Sequence, residues 1–437
     1  FVAEEIDRLT DAGDARASDV AIFYRTNAQS RVFEEILIRV GLPYKVVGGV
    51  RFYERKEVRD ILAYLRVLAN PEDAVPLRRI LNVPKRGIGD RAEAMIDALS
   101  LREKISFPQA LRRVDEAYGM AARSANAVRR FNTLMEELRT IVESGAGPAT
   151  VLEAVLERTG YLAELQSSTD PQDETRVENL QELASVALEY EQDPGERPDA
   201  GEEGTPPVGS LADFLERVAL VADSDQIPDD EDGTGVITMM TLHTAKGLEF
   251  PVVFLTGMED GIFPHMRALN QAKELEEERR LAYVGLTRAR QRLYLTRSVL
   301  RSAWGQPSYN PASRFLEEIP EKLIEWKRTG AAAVPVSRGY SSSGSSGSGS
   351  ARGSGSSRGS GSSAAASPKA GWGKSARTVT DREVVALAVG DRVSHDSFGL
   401  GTVVATQGVG DKARATVDFG SAGRKELLLR YAPVEKL

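Results

Sequence analysis

The 437-residue chain is long enough for two or three domains of roughly 100–200 residues each, and its formal charge of -8 argues against indiscriminate coating of nucleic acid while permitting local basic grooves. With no cysteine, disulfide frameworks, thiolate metal sites and cysteine nucleophiles are excluded, and His243, His265 and His395, the three histidines, are too scattered to point to zinc. No apolar run approaches the ~18 residues of a membrane span and no charged-then-apolar leader is visible, so the expectation is a soluble, cytoplasmic protein without a membrane partner.

Residues 1–6 already follow an amphipathic helical pattern without an initiator methionine, which predicts a chain that begins inside a larger protein. Residues 19–24, Asp-Val-Ala-Ile-Phe-Tyr, form an apolar run of strand length, followed by a helical pattern over 29–40 and a second strand at 44–47. Strand, helix, strand is the opening of an α/β unit. From Arg55 to about Leu220 the periodicity is almost wholly helical, broken at Pro71, at Pro84 to Gly89, at Gly145 to Pro148 and in the acidic, proline-rich stretch 192–207. Strand-like runs return at 235–240 and 251–255 around the polar segment 241–250, so the helical block reads as an insertion into one α/β domain.

The composition then changes. Residues 341–363 are nearly all Ser and Gly, and from Lys327 to Thr380 no acidic residue occurs while Lys and Arg recur, the pattern of a flexible, mildly cationic linker. Beyond it, short alternating strands separated by glycine turns predict a small SH3-like or Tudor-like barrel. The expected layout is an α/β lobe over 1–48, a helical insertion over 49–234, the lobe again over 235–326, a linker over 327–380 and a β-barrel over 381–437.

The most informative segments are Thr241-Leu242-His243-Thr244-Ala245-Lys246-Gly247-Leu248-Glu249-Phe250, then Asp260-Gly261-Ile262-Phe263-Pro264, then Glu276 to Arg290 with its Leu286-Thr287-Arg288-Ala289-Arg290 ending. In this order they resemble motifs V and VI of superfamily 1A DNA helicases of the UvrD/PcrA kind. The likeness extends to Tyr24-Arg25-Thr26-Asn27-Ala28-Gln29-Ser30-Arg31, to the stretch from Gly48 to Asp60, to Pro84-Lys85-Arg86-Gly87-Ile88-Gly89 and to the final barrel. The resemblance implies a RecA-like lobe, subdomain 2A, carrying the helical subdomain 2B, in the C-terminal part of an ATP-dependent 3′-to-5′ helicase of excision repair or replication restart.

Splitting a nucleoside triphosphate needs cations aimed at charge on the transferred phosphoryl, and an arginine from a facing lobe supplies it when the lobes close. By resemblance Arg288 is that arginine finger and Glu249 the carboxylate that bonds the ribose. The bland alternative places Arg288 with the Glu276–Arg280 run in salt bridges on an exposed helix. Thr241 and His243, on a loop after a strand, are expected on single-stranded DNA, and Lys246 is open between a phosphate role and support of its loop.

Gly87 and Gly89, with Lys85 and Arg86 alongside, would let backbone amides approach a duplex phosphate; a plain helix-to-helix turn is the alternative. Arg55, Lys56 and Arg59 form either a solvated charged face or a backbone contact at the single-strand/duplex junction. The Gly-Lys-Ser at 373–375 is a decoy, since Pro368 stands where a phosphate-binding loop needs glycine. The resemblance further implies that the cradle for ATP and the ligands of Mg2+ lie upstream of Phe1, which predicts that this chain hydrolyses no ATP alone. Nuclease-linked helicases share motifs V and VI, but nothing after Phe315 reads as a nuclease. A second class of reading treats the barrel, residues 381–437 with Phe398, Phe419 and Tyr431, as a docking module for a protein, by resemblance RNA polymerase.

Overall fold

The computed structural model describes residues 1–192, 209–223, 235–303, 306–327, 386–395, 398–408, 410, 413–419, 423–432 and 434–436. Residues 328–385, which hold nearly all of the expected linker and the Gly-Lys-Ser decoy, lie outside them. The chain divides into two units, residues 1–319 with 378–437, and residues 320–377. Of the second, residues 320–327 are described and carry one turn over Glu321–Leu323.

The lobe opens with α1 (Val2–Asp11), β1 (Val20–Tyr24), α2 (Ser30–Arg39) and β2 (Tyr44–Val46). The helical insertion follows as α3 (Lys56–Ala69), α4 (Ala74–Ile80), α5 (Asp90–Glu103), α6 (Phe107–Arg112), α7 (Ala122–Glu143), α8 (Pro148–Thr159), α9 (Tyr161–Ser167), α10 (Pro171–Gln192) and α11 (Leu211–Asp223). The lobe resumes with β3 (Ile237–Thr241), β4 (Phe250–Leu255), α12 (Ala272–Leu286), β5 (Ala289–Leu295), the hairpin β6 (Leu300–Ala303) and β7 (Gln306–Tyr309), and α13 (Arg314–Glu317).

The main sheet is parallel throughout, in the order β2-β3-β1-β4-β5. Every residue of central β1 is buried, as expected of a parallel sheet covered on both faces. Side-chain alternation sorts the two cores: Ile22 and Tyr24 pack with Ile6 and Leu9 of α1 and Leu37 of α2, while Ala21 and Phe23 pack with Ala282 of α12 and Phe263. Because β3 inserts between β1 and β2, the chain leaves the sheet after Val46 and returns at Ile237 beside the strand it left. The insertion thus hangs from adjacent strands of one sheet.

The insertion has its own large apolar core, centred on Tyr64, Phe131, Leu138, Leu152, Val155 and Leu183. Between Lys56 and Leu68 of α3 only Lys56, Arg59 and Arg66 are exposed. Glu153 on α8 sits half-buried with Oε2 unbonded, and its carboxyl is pushed up to about 7, first by burial and then by Glu191 and Glu157. A carboxyl raised in the folded state disfavours folding once it ionises, so its cost grows between the ordinary 4.5 and about 7 and is full above that. Glu153→Gln is therefore expected to stabilise the chain by roughly 2–3 kcal/mol near pH 8, fading toward pH 4, in urea titrations at the two values. An equal effect at both would remove the ionisation argument.

The C-terminal module is an antiparallel five-stranded sheet, β8 (Arg392–His395), β9 (Gly399–Gln407), β10 (Arg414–Asp418), β11 (Arg424–Leu428) and β12 (Val434–Lys436), in the order β11-β10-β9-β8-β12. Val393, Val403, Val417, Phe419 and Leu427 fill it. A Cβ on Gly401 would lie 2.5 Å from the Phe419 ring, so only glycine fits there. Phe419 is core, and Phe398 stacks on His395 at 4.6 Å.

Candidate nucleotide and nucleic-acid interface

Parallel strands give the sheet two functional edges, and ligands of open α/β sheets gather at the carboxyl ends of the strands. At that edge Arg25, just after β1, donates from Nε and Nη2 to Glu278 of α12 at 2.9 and 2.6 Å. Glu278 also accepts the His265 amide at 3.0 Å, and Gln29 Oε1 accepts the amides of Arg25 and Thr26 at 2.9 Å each. Neither Arg25, which sequence places only within the resemblance at 24–31, nor Glu278, which it places only in a run of surface salt bridges, is named as a site residue there; the available signal is a polar Arg-Thr-Asn directly following a buried strand.

Thr241 ends β3, and its hydroxyl lies 3.1 Å from that of Thr244, which closes the first turn of the loop. His243 on this turn is exposed, and its pKa is lowered by desolvation and then by the Arg25 guanidinium. A neutral imidazole meets a nucleic acid by stacking or hydrogen bonding, not as a cation. Gly48, at φ +76, backs onto Thr244; a Cβ there would stand 2.7 Å from Thr244 Cγ2, so the start of the insertion abuts this turn. Lys246 is exposed and makes no hydrogen bond or ion pair with a described residue.

The loop then crosses to the opposite edge, where β4 and β5 begin. Residues 242–249 are eight, enough at ~3.3 Å each to traverse a short strand. There the Phe250 amide donates to the Arg288 carbonyl at 3.0 Å, which sets Glu249 beside Arg288. Arg288 Nε donates to Val284 O at 3.1 Å, Nη2 to Thr287 Oγ1 at 2.9 Å and Nη1 to Leu248 O at 3.4 Å. No carboxylate among the described residues pairs with it. Its neighbours behave otherwise: Arg279 pairs with Glu276 and Glu318, Arg280 with Glu277, and Arg290 with Glu249 at 3.1 Å. The bland reading therefore fits Glu276, Glu277, Arg279 and Arg280, and neither Glu278, which is buried against Arg25, nor Arg288.

In the insertion, Lys85, Gly87 and Gly89 are exposed; Gly87 has φ +82, and Gly89 caps α5. Arg86 requires a correction. Its guanidinium turns inward and donates to the carbonyls of Ile80, Val83 and Pro84, from 2.8 to 3.3 Å, and to the Tyr64 hydroxyl at 2.5 Å. Ile80 ends α4 and Val83 and Pro84 lie in the loop that follows, so Arg86 ties this loop to itself and to Tyr64 rather than facing a phosphate. Arg55 is likewise buried, bonded to Asn179 and Ser30, while Arg59 and Lys56 stay on the surface. No hydrogen bond or ion pair among the described residues joins Lys85, Gly87, Gly89 or Arg59 to the lobe residues Thr241, His243, Glu249 or Arg288.

Among the described residues no group of three or more acidic or imidazole side chains is placed to hold a metal. Nor is any described helix long and apolar enough to cross a membrane.

Residues 1–299 match the family described as the UvrD-like helicase C-terminal domain, and residues 389–436 match the PcrA/UvrD tudor domain. Over its full length the chain is 54% identical to the ATP-dependent DNA helicase UvrD1 of Mycobacterium tuberculosis, covering 54% of that protein. It is 40% identical to the ATP-dependent DNA helicase PcrA of Bacillus subtilis and 36% identical to PcrA of Staphylococcus aureus, covering 55% and 54% of them. The chain thus spans about half the length of the curated relatives it matches. A parallel lobe with a helical insertion, a motif loop joining the two edges of its sheet and a tudor barrel agree with these matches, and the chain belongs to the UvrD-like helicase family, as a C-terminal part.

Proposed function

We propose that this chain is the second motor lobe and accessory domain of an ATP-dependent 3′-to-5′ DNA helicase used in excision repair or replication restart in the bacterial cytoplasm. One observation carries the reading: Arg288, unlike the arginines around it, is held by carbonyls and a hydroxyl rather than a carboxylate, beside Glu249. A guanidinium poised but not neutralised is available to an incoming phosphoryl group.

In this reading ATP and its Mg2+ sit on a first lobe. The ion, when bound, offsets charge on the β- and γ-phosphates. Arg288 stabilises the charge that develops as water attacks the γ-phosphorus and the bond to the leaving ADP oxygen breaks. Glu249 exchanges Arg290 for the ribose hydroxyls. Thr241 and His243 meet the single strand at the other edge, so the loop 242–249 ties strand position to nucleotide. Lys85, the amides at Gly87 and Gly89, and Arg59 meet duplex phosphates at the junction. Since residues 1–437 contain no Gly-x-x-x-x-Gly-Lys-Ser/Thr loop, the purified chain is expected to show no DNA-stimulated ATP hydrolysis. Phosphate release from this chain that rises on adding single-stranded DNA would overturn the reading. For the barrel, residues 381–437, the resemblance supports RNA polymerase as a partner.

A further inference from the structure

The barrel's own contacts support a second conclusion, which does not depend on the motor reading. Leu428 and Tyr431, at the end of β11 and in the turn after it, are buried not in the barrel's core but in the apolar core of the helical insertion. Around them the charges are complementary. Glu157 of α8 accepts Arg430 Nη2 at 3.0 Å and the Tyr431 hydroxyl at 3.1 Å. The Arg158 guanidinium lies over the Tyr431 ring at 5.1 Å and pairs with Glu137 of α7 at 3.1 Å, and Arg414 of β10 approaches the same Glu137 at 3.9 Å. The insertion offers Glu137 and Glu157 to Arg414 and Arg430 of the barrel, and Tyr431 sits between them beneath Arg158 of the insertion.

We propose that this corner of the barrel, Leu428 with Arg430 and Tyr431, is a latch that closes in cis on α7 and α8, so that a protein partner using the same corner must first displace the insertion. Two apolar anchors are fewer than the clustered hot spots of a permanent interface. The covalent link through residues 328–385 makes up the difference, because a tethered site meets its target at an effective concentration on the order of millimolar. Closure is therefore stable within one chain yet open to competition. Specificity lies in the ion pair, since a like charge at either position both removes an attraction and adds a repulsion.

The absence of cysteine in this chain permits a direct test. Val389→Cys on the barrel and Leu101→Cys on α5, both exposed and outside the contact, accept a donor and an acceptor dye in the full 437-residue chain. Transfer is expected to be high in this parent, to fall at least twofold with Glu157→Arg or with Arg430→Glu, and to return with both together. Restoration by the double exchange is an outcome that misfolding of either single variant cannot produce. Unchanged transfer in the single variants, or loss that the double exchange does not restore, would overturn the latch.

Discussion

Replacing Arg288 by alanine in the complete protein is expected to lower ATP turnover by roughly 10³- to 10⁵-fold, about 4–7 kcal/mol, while single-strand binding stays nearly intact. The size follows from its surroundings. Arg288 is only partly buried, and its partners are the carbonyls of Val284 and Leu248 and the Thr287 hydroxyl, so removing it strands no buried carboxylate. The fold should lose little, and an exposed ion pair lost from such a helix end would account for well under 1 kcal/mol. In the proposed reading strand binding falls to Thr241 and His243 at the other edge of the sheet and should not sense the change. Steady-state turnover and filter binding on the same preparation separate the two; a turnover loss below about tenfold would leave Arg288 no catalytic part.

A comparable loss, of stability instead of activity, is expected from Arg31→Met. Arg31 of α2 is buried and donates to Glu35 at 3.0 Å, to Glu182 at 2.5 Å and to Glu189 at 3.3 Å, the last two on α10 of the insertion. Burial works against its charge, but the three carboxylates outweigh that and hold the guanidinium more firmly protonated than usual. The Glu182 carboxyl is already pushed up by burial despite Arg31. Beside this cluster Arg55 bridges Ser30 of α2 to Asn179 of α10, and Asn179 bonds Glu57 of α3 at 2.5 Å, so the lobe and insertion are joined by a buried polar seam. Removing the central cation leaves Glu182 desolvated without its partner, which costs about 3–5 kcal/mol. The loss should shrink as pH falls and that acid protonates. By contrast Arg280→Met, which breaks an exposed pair with Glu277, should cost under about 0.5 kcal/mol. Urea denaturation of both variants decides it, since equal small losses would mean the seam is hydrated and mechanically unimportant.

The seam also shows where sequence reading stops. The strands of the lobe were legible because a parallel sheet buried on both faces needs continuous apolar runs, and 20–24 and 252–255 are such runs. The insertion was legible because its helices carry their own core, so period and burial agree. Helix α2 breaks that agreement: Ser30, Arg31 and Glu34 are buried while Val32, and Val40 just past its end, are exposed. The helix that covers its polar face, α10, lies far along the chain, and no local period reveals a tertiary partner of that kind. Arg86 misled for a related reason. A cation beside a Gly-x-Gly turn is as able to satisfy its own loop's carbonyls as a phosphate, and the direction of a guanidinium is set by geometry that spacing does not encode. The placing of Glu249 beside Arg288 was available only by resemblance, because the backbone hydrogen bond that sets it joins Arg288 to Phe250, 38 positions earlier in the chain.

The most direct test of the account is the turnover of Arg288→Lys in the complete protein. Lysine keeps the charge and would preserve a generic ion pair, but it lacks the planar fork that bonds two phosphoryl oxygens at once. If Arg288 completes a nucleotide site, Arg288→Lys should be impaired nearly as severely as Arg288→Ala, at least about 10²-fold below the parent under saturating ATP and single-stranded DNA. Turnover close to that of the parent would contradict the assignment and return Arg288 to the surface salt bridges of its neighbours.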